Sequence, residues 1–452
     1  MDQRTRRFRR RTRWQPIVAV LLVASACTGS PREAPLTSAD PPTPTGTPVP
    51  TTPSSSASPS PVEEELGDPG ASSVRLTAPP EGSFLVRGRF PHVPSPCRDA
   101  ERPTLTGRFP GALHVRRAED GTLALTVTVP FDRYLEGIAE VPPSWPPAAL
   151  DAQAIAARSY ALATTDWTGR EGDGLETPIC ATTSCQVYRG IPVPPDPTHR
   201  RWVRAVRRTD GMVLRDGDRP ATTVYFSTSD GRTYPNEDVF GSAPLSYLRS
   251  VTERDDGASP TSHWRVRLPF DDLARFLRAE GLWPAGRALA GARVNGETLA
   301  IRGGGVSRSI DASDLRDAVN TWAPCLRPGR YPPEVAGYAL PLTIPSRWLR
   351  LEVEGDTVVV TGRGWGHGVG MVQWGAYGKA KRGLSASDIL AFYYGGLRPV
   401  HHPEPGLIHV QIASGILSFR ITPSDAGGKI DGAPLGSGPV VISGGDGLDV
   451  RG

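Results

Sequence analysis

The chain of 452 residues lacks an apolar run long enough to cross a bilayer; its longest, Ile17 to Ala26, is ten residues. Aromatic residues are only 7 %, against 50 Gly and 47 Pro, which argues for a loop- and strand-rich protein rather than a helical bundle. Net positive charge is confined to one end. The formal charge is +4, but residues 1–26 hold seven Arg and one Asp, so the remainder carries −2. That balance excludes nucleic acid as a partner indicated by charge. Neither G-K-[ST] nor a GxGxxG with an acidic partner occurs, so no phosphate cradle is indicated. Cysteine is scarce, at five.

What is present begins with an export signal. Arg4 to Arg13 form a positive region, the apolar run follows, and Val23-Ala24-Ser25-Ala26-Cys27 ends it. Small residues before a cysteine resemble a lipobox, with Cys27 lipidated and residues 1–27 a signal peptide; simple cleavage after Ala26 is the alternative. Either places the protein outside the cytoplasm, and lipidation would anchor it to the membrane facing the wall. Residues 28–72 are rich in Pro, Thr and Ser and read as a disordered spacer. With Cys27 carrying lipid, Cys97, Cys180, Cys185 and Cys325 remain for an oxidising compartment. The favoured pairing is Cys180–Cys185 with Cys97–Cys325. Zinc held by Cys180, Cys185 and a histidine such as His199 is the rival; otherwise no metal or cofactor is expected.

Folded structure is expected from residue 73. Alternation predicts strands at Val74–Leu76, Ser83–Val86, Ala112–Val115 and, most clearly, Leu123–Val129. A Pro-bracketed loop follows, entered through Glu140 and holding Pro142, Pro143, Pro146 and Pro147. A helix starting near Pro147 places Leu150, Ala154, Ala157 and Ala161 on one face. A carboxylate on a stiff loop backed by Trp145 can be kept dry, which raises its pKa and suits acid catalysis. The plainer reading is that Glu140 only caps the loop.

Strand Thr222–Phe226 runs into a polar turn, Ser227-Thr228-Ser229-Asp230-Gly231. Residues 252–345 change pattern and read as an inserted lobe, with helices at Asp271–Glu280 and Ser313–Trp322, the second capped by Ser313. Strands resume at Leu351–Val353 and Thr357–Val360, then deliver a stretch with five glycines in nine residues, Gly362 to Gly370. It holds His367 and Trp365, and continues to Gln373 and Trp374. Such glycines allow backbone to approach a ligand or another chain, and the indoles offer faces for sugar rings, although core packing explains them equally. A helix is predicted at Ser385–Tyr393. Residues 401–452 read as a small all-β appendage. The expected class is α+β, with the main domain spanning 73–400.

The stretches YLEGIAEVPPSWPPAALDAQAIAARSYAL and GRGWGHGVGMVQWGAYGKAKRGLSASDILAFYYGG together resemble the signature ends of the SpoIID/LytB family. ICATTSCQVYRG and VYFSTSDGRTYPNEDVFG resemble its middle blocks, and the resemblance covers Ser73 to Leu397. Family members of known activity are lytic transglycosylases, which cut peptidoglycan glycan strands lacking stem peptides. The resemblance implies that Glu140 is the catalytic acid, since the family's glutamate before Met-Pro falls on Glu140-Val141-Pro142. Beside that acid, Ser227, Thr228, Ser229, Trp365 and Gln373 are candidates for glycan binding and His367 for holding Glu140 or a sugar hydroxyl, against an ordinary turn, core packing and a structural histidine; Gln153 and Arg158 could orient Glu140 or simply face solvent. The loop from Gly137 to Glu140 is shorter than in the sporulation enzymes, and the usual Ser-Gly-Gly turn reads Ser229-Asp230-Gly231. The LytB branch implies an alternative: a non-catalytic glycan-binding protein that enhances a cell-wall amidase.

Overall fold

A computed structural model describes residues 72–89, 104–165, 178–193, 195–331, 334–335, 338–339, 343–424 and 427–452. The signal segment with Cys27, the Pro-rich spacer and Cys97 lie outside the described residues. Among the described residues helix accounts for 24 % and strand for 34 %, distributed over several sheets, which is the α+β class.

The early strands form as their alternation requires: β1 (Ser73–Thr77), β2 (Ser83–Arg89), β3 (Thr104–Pro110), β4 (Ala112–Arg117) and β5 (Leu123–Pro130). Helix α1 (Phe131–Glu136) follows without a break, then α2 (Pro147–Thr164), β6 (Ile179–Cys180) and α3 (His199–Arg208). A seven-stranded sheet runs Ala433–Pro434, Lys429–Ile430, β1, β4, β5, Leu407–Ile416, β6. Only its last pair is parallel. A five-stranded antiparallel sheet runs Asp449–Arg451, Val440–Ser443, Ser418–Pro423, β2, β3. The strand pattern predicts an appendage after residue 400, but these strands instead enter both sheets. Leu407–Ile416 lies between β5 and β6, and Ser418–Pro423 pairs along β2. Strand alternation shows which face is buried and says nothing about which strand is the partner.

Helix α2 sits at the centre. Pro147 occupies its first turn, where a missing N–H costs nothing. Leu150, Ala154, Ala157 and Ala161 face a core shared by both sheets and α3. Ala152, Ile155 and Ala156 face a second core built on Phe226, Met371, Leu390 and Tyr394. A helix enclosed on both sides must be apolar nearly all round, and its alanines let neighbours approach closely. Arg158, 1 % exposed, is neutralised within this packing by Glu404 and bonds to Thr209, Met212 and Val206.

The changed pattern after residue 252 corresponds to a third apolar cluster, from Trp264 to Val360. Its strands are Trp264–Pro269, Leu349–Glu354 and Thr357–Gly362 in one sheet and a meander over residues 291–311 in another. The strands predicted to resume the main domain at 351 and 357 therefore pack in this lobe. Its helices are Phe270–Ala279 and Ala312–Leu326. Asp311, rather than Ser313, occupies the cap position of the second.

A helix that the sequence pattern does not predict, Gln373–Lys381, joins the Gly-rich stretch to Ala386–Tyr393. It carries Lys379, 2 % exposed, against Glu253, 3 % exposed, at 2.9 Å, and against Asp255 at 2.9 Å. The Tyr393 hydroxyl donates to the same Glu253 carboxylate. Gly375 and Gly378 make this possible, because a Cβ at Gly378 would lie 2.0 Å from the Asp255 carbonyl oxygen. Removing one member strands a buried charge. Lys379→Met is expected to destabilise by about 3–5 kcal/mol in chemical denaturation, far more than a surface charge removal.

Candidate functional site

Glu140 is placed by backbone pairing with the segment that follows the disulfide loop. Ile138 bridges Tyr188 in antiparallel sense. The Ala139 N–H donates to the Val187 carbonyl at 2.9 Å, and the Arg189 N–H to the Gly137 carbonyl at 2.9 Å. Gly137 is needed for this approach, since a Cβ there would lie 2.4 Å from the Tyr188 ring. The short link from Gly137 to Glu140 is thus a bridged segment with little slack. The Val187 N–H then donates directly to Glu140 Oε1 at 2.6 Å. On its other side the loop is clamped by rings. Trp145 packs 5.0 Å from Trp374 and 5.3 Å from Tyr377, centroid to centroid.

The loop before Val187 is closed by the Cys180–Cys185 disulfide. Cys325 is disulfide-bonded as well; its expected partner, Cys97, lies outside the described residues. The bond between Cys180 and Cys185 takes both sulfurs of the Cys-x4-Cys spacing, and among the described residues no group of three His, Cys, Asp or Glu side chains could hold a metal. His199 lies at the start of α3.

Glu140 is half-buried, and burial raises its pKa above the ordinary carboxylate value. The Val187 N–H bonded to it opposes that rise, as do Gln373, Tyr225 and the Arg189 charge. Desolvation outweighs them. The Gln373 amide also sits 3.5 Å from the Glu140 carbonyl and 3.4 Å from Gln153 Oε1. Gln373 and, through it, Gln153 therefore join Glu140. Arg158 does not: all its contacts lie on the side of α2 facing Thr209 and Glu404.

The other residues singled out by the sequence form a scaffold beside this acid. Strand Tyr225–Phe226 pairs in parallel with Met371–Val372, which joins the polar turn to the Gly-rich stretch. Thr228 and Trp365 exchange backbone hydrogen bonds of 3.0 and 2.8 Å. The Thr228 hydroxyl, fully buried, bonds Ser259 at 2.6 Å and Thr261 at 3.0 Å. Ser229 donates to Asp256 from its amide and its hydroxyl, at 2.8 and 2.7 Å. Ser227 accepts the Trp374 N–H through its carbonyl at 3.0 Å. The glycines approach this chain's own backbone: Gly370 has φ +74°, and a Cβ there would sit 2.1 Å from the Val224 oxygen.

His367 accepts the Val369 N–H at Nδ1, 3.1 Å, so Nε2 carries the proton and donates to the Tyr225 carbonyl at 2.8 Å. Burial pushes its pKa down to about 4, in keeping with a neutral ring. His367 therefore fixes Tyr225 and makes no bond to Glu140.

Gln186, Tyr134 and Tyr160 lie inside the family-like stretches, but the sequence alone gives them no role. Gln186 is fully buried and bonds Tyr134, Ala157 and Tyr225. Tyr134, Tyr160 and Tyr225 all interact electrostatically with Glu140. The clue available was position: Gln186 directly follows Cys185 and precedes the segment that pairs with Glu140.

The chain's relatives accord with this arrangement. Residues 119–215, which hold Glu140, the disulfide and Gln186, match the family model described as "Stage II sporulation protein", SpoIID. Stage II sporulation protein D of Bacillus subtilis is 28 % identical over 291 residues, covering 59 % of this chain and 74 % of that protein. An uncharacterized protein of Brachyspira hyodysenteriae is 28 % identical over 282 residues, covering 61 % and 68 %. A Bacillus subtilis protein named amidase enhancer is 25 % identical over 290 residues, 57 % of this chain but only 38 % of its own length. Over residues 119–215 the chain is thus similar to the SpoIID family, and its wider similarity extends to the proteins named stage II sporulation protein D and amidase enhancer.

A carboxyl whose pKa is raised on folding costs stability as pH rises from its unfolded value through its folded one. Glu140→Gln removes that cost while keeping an acceptor for Val187. The variant is expected to melt above the wild type at pH 8, with the gain shrinking below about pH 4, near the ordinary Glu pKa. Thermal melts across pH check this; an unchanged melting temperature at pH 8 counts against a desolvated Glu140.

Proposed function

We propose that this protein acts outside the cytoplasm on cell-wall peptidoglycan, as a lytic transglycosylase cleaving between N-acetylmuramic acid and N-acetylglucosamine. The observation that carries the reading is a desolvated carboxyl, Glu140, on a braced loop. The groups that chiefly shift it are an amide N–H, Gln373, Tyr225 and Arg189, none of them a carboxylate. Hydrolytic glycosidases need a second carboxyl as nucleophile or base. Intramolecular transfer does not. Protonated Glu140 gives its proton to the glycosidic oxygen as the bond to C1 of the muramic acid breaks. The muramic acid's acetamido group stabilises the resulting oxocarbenium-like centre. Glu140, now a carboxylate, takes the proton of the C6 hydroxyl as O6 bonds to C1, closing the 1,6-anhydro ring and restoring the acid. No cofactor enters this sequence.

In this reading Gln373 holds the Glu140 loop, Trp365 supplies a sugar-facing indole, and Ser227, Thr228, Ser229 and His367 support the wall of the site. Export through the N-terminal segment and lipid attachment at Cys27 would hold the enzyme at the membrane, facing glycan strands. A second reading rests on the relative named amidase enhancer: glycan binding without cleavage, in support of a wall amidase.

The decisive experiment digests glycan strands stripped of stem peptides with the purified wild type and with Glu140→Gln, reading products by mass spectrometry. Anhydro-ended fragments are expected from the wild type, with the variant slower by roughly 10²–10⁴-fold, as for loss of a general acid. Retained glycan binding with no cleavage by the wild type supports the enhancer reading. Equal cleavage by both removes Glu140 from the mechanism.

A further inference from the structure

The solvent face of the five-stranded sheet carries a row of side chains that its register sets side by side. Thr106 lies opposite Arg87, Arg87 opposite Arg420, Arg420 opposite Val441, and Val441 opposite Arg451. Three of these are arginines and none is acidic. All but the half-buried Val441 are exposed, whereas the alternate residues Val86, Phe419, Ile421 and Ile442 pack in the core. Asp449 neutralises Arg451 at 2.9 Å. Among the described residues Arg87 and Arg420 have no such partner. Like charges directly opposite on neighbouring strands repel, and no internal contact offsets that cost here. The pair borders a shallow, open depression of about 580 Å³, lined also by Thr106, Ser418 and Val441.

This sheet continues toward Glu140. The outer edge of β3 is taken by the segment after the disulfide loop: the Ile191 N–H donates to the Arg108 carbonyl at 2.8 Å, and the two residues form an antiparallel bridge. That segment pairs in turn with Gly137 and Ile138, just before Glu140. Three strand steps therefore separate Arg87 from the Glu140 loop, about 14 Å at ordinary strand spacing. Arg108 and the exposed Arg189 lie along the way. The row offers no exposed aromatic ring to stack a nucleobase, since Phe419 beneath it is buried. Charge complementarity and continuity with the Glu140 loop select the glycan strand itself, because muramic acid carries a lactyl carboxyl that is ionised when unsubstituted. We propose that this face is an accessory binding surface for the glycan strand, with Arg87 and Arg420 holding free lactyl carboxylates of its muramic acid residues. The inference rests on reading glycan as the ligand, but it is measured by binding and needs no cleavage.

The test measures binding of end-labelled glycan strands, stripped of stem peptides, to the full chain by fluorescence anisotropy at low salt. Arg87→Gln combined with Arg420→Gln is expected to weaken binding roughly tenfold, the product of two exposed charge contacts. The difference should vanish near ~1 M salt, where charges are screened within a few ångströms. Strands whose carboxyls are converted to methylamides should bind wild type and double variant alike. Arg293→Gln combined with Arg308→Gln, which removes two exposed arginines of the lobe, is the control for net charge. Wild-type affinity in the Arg87/Arg420 variant overturns the proposal. So does an equal loss in the lobe control, or the same loss with methylamide strands. Tighter Arg87-dependent binding to phosphatidylglycerol vesicles than to strands would assign the face to a membrane and likewise overturn it. Thermal melts at low salt guard against misfolding. Relief of repulsion should put the double variant at or above the wild type, and a lower melting temperature would make the pair structural and sink the idea. No strand binding by the wild type defeats glycan as the ligand of the whole protein; binding that survives the double substitution defeats this inference alone.

Discussion

Close packing against both sides of α2 is the constraint on which the site depends. Ala152, Ala154, Ala156, Ala157 and Ala161 are each at most 1 % exposed, so a helix backbone stands directly against its neighbours on two sides. That closeness brings the Ala157 carbonyl within reach of a side chain from the disulfide loop, and lets Thr223 reach the Ala156 carbonyl at 2.7 Å. Larger residues would hold these segments apart, and cores tolerate such overpacking poorly. The helix thus contributes two backbone acceptors as well as apolar surface.

The second organising fact is that polar groups beside Glu140 are largely committed to one another. Ser229 and Asp256, Thr228 and Ser259, and His367 and Tyr225 form local pairs, each satisfying a buried group that would otherwise cost about 1–3 kcal/mol. Their cumulative effect is rigidity. A carboxyl kept dry by such a frame needs little reorganisation when charge develops beside it, which is how fixed dipoles outperform water.

Much of this was legible in the chain, for identifiable reasons. Glu140 stood out because prolines cannot enter a ladder or a helix interior, so a loop was forced and the start of α2 marked. Strands β1, β2, β4 and β5 followed from alternation, and the Cys180–Cys185 bond from spacing. Gln186 did not stand out: a buried amide is specified by partners 29 to 52 residues away and leaves no periodic trace. The glycines of 362–370 read as room for a ligand, whereas at Gly370 the room is filled by the Val224 carbonyl. Gly375 and Gly378 hid the helix Gln373–Lys381, because glycine's poor helix propensity is overridden there by close contact with Glu253 and Asp255. The strands after residue 400 were visible as strands, but their places in the two sheets were not.

Those places bear on how the molecule is made. β1 pairs with residues 429–430, β2 with 418–423, and β5 with 407–416. One hydrogen bond that ties them, from the Ser83 amide to Ser424, spans 341 positions of sequence. Contacts so distant in sequence are slow to form, because the intervening chain must be ordered or looped first. Neither sheet can close on a growing polypeptide until those last strands have emerged. Until then β5 presents an unpaired edge, and the apolar surface it shares with α2 lacks part of its cover. The apolar face that β5 shares with α2 is therefore completed only by a strand nearly 300 residues further along, whereas the lobe from Trp264 to Val360 has a core of its own.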